Sequence, residues 1–150
     1  MEGNNQVIGN AGMYLAAYHL SRRGWNVMPT SRNARGIDLL VYDVTAKTKL
    51  GIQIKTLSKS VAAVPLGTKS IDNLMGDWWI IVASLATEPV CYILKPKEVA
   101  KRAVRDKARK PIGFREKSMQ SRHLKRSGNA SGMVTSRVEG SNFNPLRSAC

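Results

Sequence analysis

Apolar residues recur along this chain in two periods, and each change of period marks an element. Over residues 7–23, Met13, Leu15, Ala17, Tyr18 and Leu20 fall at helical spacing and predict an amphipathic helix. It closes on Ser21-Arg22-Arg23 and Gly24, basic charge for the negative end of the helix and a glycine for the residue behind it. Trp25-Asn26-Val27-Met28 predicts a strand stopped by Pro29. Two apolar runs follow, residues 36–43 and 50–56, each with a glycine in or beside it. The polar link 44–49 is short enough to make them a β-hairpin. Residues 78–83 are continuously apolar and predict a strand buried on both faces. Residues 90–94 predict another, after a turn at Glu88-Pro89. Residues 97–108 predict a helix with Val99, Ala103 and Val104 inward and Lys101, Arg102, Arg105 and Lys107 outward. The order is that of an α/β domain, a mixed four- to five-stranded sheet flanked by helices.

From about Lys110 the pattern dissolves into Ser, Gly, Asn, Arg and Lys. The expected organisation is therefore a domain over residues 1–109 and a basic extension over 110–150. No apolar run has the length of a membrane span, and Met1-Glu2-Gly3-Asn4-Asn5 does not open a signal peptide. Two cysteines, Cys91 and Cys150, give neither a disulfide framework nor a metal cluster; Cys91 sits in an apolar run as a core residue, and a cytoplasmic protein is expected. The formal net charge of +14 favours a polyanionic partner, whose condensed counterions are released on binding. Residues 101–150 carry 13 of the 24 Lys and Arg but 3 of the 10 Asp and Glu. A solvated basic tail explains that asymmetry as well as a binding surface does.

Three polar side chains interrupt the predicted hairpin: Asp38, Gln53 and Lys55. Gln53 and Lys55 are two apart and share a strand face. Asp38 opens the other strand, and antiparallel pairing brings it beside them. A carboxylate, an amide oxygen and an ammonium then meet at one sheet edge. Two plain alternatives stand beside this: a strand with one face in water, and an Asp that serves a turn. Arg32 and Arg35 enter the same region just before Asp38, either to hold phosphates or as charges of a surface loop.

Gly36-Ile37-Asp38 followed fifteen residues on by Gln53-Ile54-Lys55 resembles the core of the PD-(D/E)XK nuclease superfamily. The resemblance extends from about Asn10 to about Val99, through Gly9-Asn10-Ala11-Gly12, Arg23-Gly24-Trp25-Asn26-Val27, Arg32-Asn33-Ala34-Arg35 and Gly76-Asp77-Trp78-Trp79. It is similar to small bacterial nuclease-like proteins and to the branch with Gln at the second acidic position, which includes intron-encoded homing endonucleases. The resemblance implies a restriction-endonuclease-like core and a metal-dependent DNA endonuclease. It implies Mg²⁺ or Mn²⁺ held by Asp38, the Gln53 amide and the Ile54 carbonyl, with Lys55 acting on water and phosphate. It also implies DNA contacts at Arg32, Arg35, Lys59 and Lys69, and a homodimer or homotetramer for double-strand cleavage. One position departs: the helix Glu of the family falls on Met13, which offers no ligand to a hard cation. A catalytically degenerate DNA-binding module of the same fold is therefore the alternative, and a scaffold with a fortuitous Gln-x-Lys the third.

Overall fold

The computed structural model describes residues 4–31, 36–59, 64–66, 71–72, 74–104 and 113–114. Helix α1, Asn5–Ser21, starts where the Asn4 side chain accepts the Gln6 N–H at 3.0 Å. Its inner face is Ile8, Gly12, Ala16 and Leu20, all buried and four residues apart. It ends in a paired closure: the Trp25 N–H reaches the Leu20 carbonyl at 3.3 Å and the Gly24 N–H reaches Ser21 at 3.0 Å. Gly24 takes φ +84°, the left-handed residue that this closure needs.

The main sheet has five strands in the order β1-β2-β3-β5-β6: β1 Asn26–Pro29, β2 Leu39–Tyr42, β3 Lys49–Thr56, β5 Trp78–Ala83 and β6 Val90–Leu94. Pro29 lies on the edge strand, where a missing N–H breaks no ladder. β2 and β3 form the expected antiparallel hairpin, and β5 and β6 are antiparallel. β3 and β5 are parallel, so the sheet is mixed as expected. All six residues of β5 are buried. They feed two cores, because strand alternation sends successive side chains to opposite faces. Trp78, Ile80 and Val82 join Leu39, Val41, Ile52, Ile54, Ala16 and Leu20 under α1. Trp79 and Ile81 join Val64, Leu66, Leu94 and Val99 on the other face.

Helix α2, Pro96–Arg102, closes that second face. It starts with Pro96, and the Glu98 carboxylate accepts the Lys95 N–H at 2.9 Å. It is shorter than the expected 97–108, because Ala103 leaves the helix in extended conformation and enters a small sheet. That sheet has the order β4-β8-β7, with β4 Val64–Pro65, β7 Ala103–Val104 and β8 Gly113–Phe114. Apart from β8, residues 110–150 lie outside the described residues. Cys91 on β6 is half-buried and packs against the first core, as its apolar run leads one to expect.

The two hairpin strands are unequal, and this opens the molecule at one point. Leu39 pairs with Ile52 at the start of β2, while β3 runs on to Thr56. Beyond Ile52, β3 keeps β5 as a neighbour on one side and loses β2 on the other. The first half of α1 crosses over this free edge. Gly12 makes the crossing close: a Cβ there would overlap the Thr56 side chain.

Candidate functional site: a cleft at the free edge of β3

Asp38 stands where β2 leaves β3. Its N–H donates to the Ile52 carbonyl at 2.8 Å, the last backbone bond of the pair. Its side chain then takes over the ladder: Oδ2 accepts the Ile54 N–H at 2.6 Å. The same oxygen accepts the Gln53 amide Nε2 at 2.5 Å. Thr30 ties the incoming chain down, with its N–H on the Asp38 carbonyl at 3.0 Å and its hydroxyl on the Ile37 carbonyl. Gly36 turns the chain at φ +72°, and a Cβ there would also strike Met75. The carboxylate is therefore fixed from the backbone on both sides and from its own two hydrogen bonds.

Gln53 and Lys55 are both half-buried, and Ile54 between them is buried in the core under α1. By alternation their side chains leave on the face opposite α1, in register with Trp79 and Ile81. Of the three residues expected to meet, Gln53 is hydrogen-bonded to Asp38, and Lys55 lies two residues further along the same edge of β3. Sequence reasoning did not foresee the orientation of the Gln53 amide. Nε2 donates to Asp38 and also points at the Ile54 carbonyl at 3.4 Å, so nitrogen rather than oxygen faces the carboxylate. Rotation about the terminal torsion exchanges the two atoms, at the expense of the bond to Asp38. Lys55 forms no ion pair among the described residues, which leaves its ammonium available to an anion.

A cleft of about 320 Å³ opens at this edge. Its strand wall is Asp38, Ile54, Lys55 and Thr56. Its helix wall is Gln6, Gly9, Asn10 and Met13, the i, i+3, i+4, i+7 positions of one α1 face. The position equated with the family's helix carboxylate does face the strand residues, and it carries Met13. Gln6 and Asn10 line the cleft too, although the sequence reading did not single them out. The signal in the sequence is their spacing, which puts both amides on the helix face that holds Met13. Gln53 is not part of the cleft wall.

The remaining sequence-based candidates divide. Lys59 is exposed in the bend after β3, next to Ser58, whose carbonyl accepts the Ala86 N–H, and it does not line the cleft. Arg32, Arg35 and Lys69 lie outside the described residues. No group of three or more His, Cys, Asp or Glu side chains that could hold a metal exists among the described residues. A cation at this edge would rely on one carboxylate and on neutral oxygens. The donor chemistry fits a hard divalent ion: the Asp38 carboxylate and the Ile54 carbonyl converge on one electropositive group, the Gln53 NH₂, and both are oxygens.

No protein-family model matches this sequence, and no curated protein matches it. Among solved structures the chain is similar to a bacterial homing endonuclease, I-Ssp6803I, at 18% identity and a TM-score of 0.49, over 63% of this chain and 67% of that one.

Proposed function

We propose that this chain is a metal-dependent DNA endonuclease that hydrolyses phosphodiester bonds in the cleft between α1 and the free edge of β3. The observation that carries the reading is the meeting of Asp38, Ile54 and Lys55 on one cleft wall at the point where β2 ends. The residues are those of the Gly36-Ile37-Asp38 and Gln53-Ile54-Lys55 pattern. Asp38 is the one anionic ligand, Gln53 supplies a neutral oxygen after rotation of its amide, and the Ile54 carbonyl is the third donor. Mg²⁺ or Mn²⁺ held there would act as Lewis acid and lower the pKa of a bound water. Lys55 brings a compact positive charge to the attacking water and the phosphoryl oxygens. The net charge of +14 supports a polyanionic substrate, with Arg32, Arg35, Lys59 and Lys69 as backbone contacts. Cutting both strands calls for two such clefts, hence a homodimer or homotetramer.

Met13 favours a second reading, a DNA-binding module of the same fold that has lost hydrolysis. A thioether on the helix wall contributes nothing to a hard cation. Supercoiled plasmid with Mg²⁺ or Mn²⁺ separates the readings, comparing this chain with Met13→Glu and Asp38→Ala. Cleavage by the chain and none by Asp38→Ala is expected. Cleavage by Met13→Glu alone makes this chain the inactive form. Equal cleavage by the chain and by folded Asp38→Ala removes the site assignment.

A further inference from the structure

The helix wall of the cleft is polar without being charged. Helix α1 has no acidic residue along Asn5–Ser21, and Met13 gives the site no oxygen. One and two turns earlier on the same face stand two exposed side-chain amides, Asn10 and Gln6, on the cleft wall across from Asp38. Neither amide has a side-chain hydrogen bond among the described residues. The helix that carries them is drawn against β3 at Gly12, where only a hydrogen fits beside Thr56. At Gly9, between the two amides, the space where a Cβ would stand is open. A short Asn side chain therefore stands on the wall of a cleft of about 320 Å³, opposite the strand, with no hydrogen-bond partner among the described residues.

We infer that Asn10, backed by Gln6, is the ligand residue that α1 contributes to a divalent cation in this cleft, through its amide oxygen. The inference rests on the endonuclease reading and deepens it. An amide oxygen is a hard donor suited to such an ion, and Asn serves in all-oxygen calcium and magnesium sites. The resulting set holds one full negative charge, from Asp38. Affinity for a divalent ion scales with ligand charge, so the protein alone binds the ion weakly. Phosphate oxygens of DNA supply the missing charge, so ion and DNA raise each other's affinity by the same factor.

The test is Mn²⁺ binding to the full chain, followed by the electron paramagnetic signal of the free ion. The chain is compared with Asn10→Ala, Asn10→Asp, Asp38→Ala and the control Tyr14→Asp. Tyr14 is on the same helix but outside the cleft wall and is 60% exposed. Asn10→Asp places a full charge where the amide oxygen is and is expected to bind Mn²⁺ about tenfold more tightly. Asn10→Ala is expected to bind it about threefold more weakly. Tyr14→Asp is expected to match the chain. Asn10 is exposed, so these variants keep the fold, which circular dichroism verifies. If Asn10→Asp binds no tighter than Tyr14→Asp while Asp38→Ala loses Mn²⁺, the cation site stands and Asn10 is not its ligand. If the chain and Asp38→Ala bind Mn²⁺ alike, the metal-dependent reading falls and the role of Asn10 falls with it.

Discussion

Asp38 has a structural duty that any test of its chemistry must separate. Its carboxylate accepts the Ile54 N–H at 2.6 Å, and Ile54 is buried with 7% exposure. Removing the acceptor leaves a backbone donor unpaired in a largely dry setting, which costs about 1–3 kcal/mol. Asp38→Ala should therefore lower the unfolding free energy by that amount in urea titration. Asp38→Asn keeps an acceptor oxygen for Ile54 and should lose less than half as much. At this scale the sequence was informative about which residues meet, because strand alternation fixes faces. It was silent on Gln6 and Asn10, because the wall they form depends on where β2 stops and how closely α1 lies. That closeness is set by Gly12, a residue whose relevance is the absence of a side chain.

At the scale of elements, the contact between α1 and β3 is the joint on which the cleft depends. Gly12→Ala gains helix propensity of about 1 kcal/mol but drives a methyl into the side chain of Thr56. The clash should win, with a net loss of about 1–2 kcal/mol. Thr56→Ala in the same chain removes two of the three nearest atoms and should recover part of it. Thermal unfolding of the single and double variants measures both. The β2–β3 turn carries a pH dependence of its own. At Asp43, desolvation raises the pKa, but hydrogen bonds from Thr45 and Thr48 and from the backbone of Thr48 and Lys47 outweigh it, and the carboxyl is lowered overall. A carboxyl depressed in the fold stabilises above its unfolded pKa, and that contribution fades as pH falls through the folded value. Asp43→Asn should therefore flatten the loss of stability below about pH 4, read by urea midpoints across the acid range. The hairpin, the buried strand β5 and helix α1 were legible from periodicity. The end of α2 at Arg102 was not, since residues 97–108 keep a helical pattern that strand pairing at Ala103 overrides.

For the whole molecule, charge and topology set what can be expected of binding. With +14 net charge, affinity for duplex DNA should fall linearly with salt on logarithmic axes. Removing residues 117–150 takes away six of the 24 Lys and Arg, and if those residues touch phosphate the slope should shrink by several units. Fluorescence anisotropy across a salt series gives the slope directly, and an unchanged slope would make the tail a solvated appendage. The parallel pairing of β3 with β5 could not be read from the chain. The link 57–77 has no sustained period, its apolar residues Val64 and Leu66 pack into the second core, and only that tertiary packing decides that the next strand returns in the same direction.

In the proposed function the cleft at the free edge of β3 hydrolyses DNA through Asp38 and Lys55. The most direct measurement is the nicking rate of supercoiled plasmid in Mn²⁺, for this chain against Asp38→Asn at matched folded fraction. Nicking by the chain is expected, with a loss of at least about a hundredfold in the variant, in which the one anionic ligand of the site has become neutral. Nicking at equal rates would place the chemistry elsewhere in the molecule and contradict the role of Asp38.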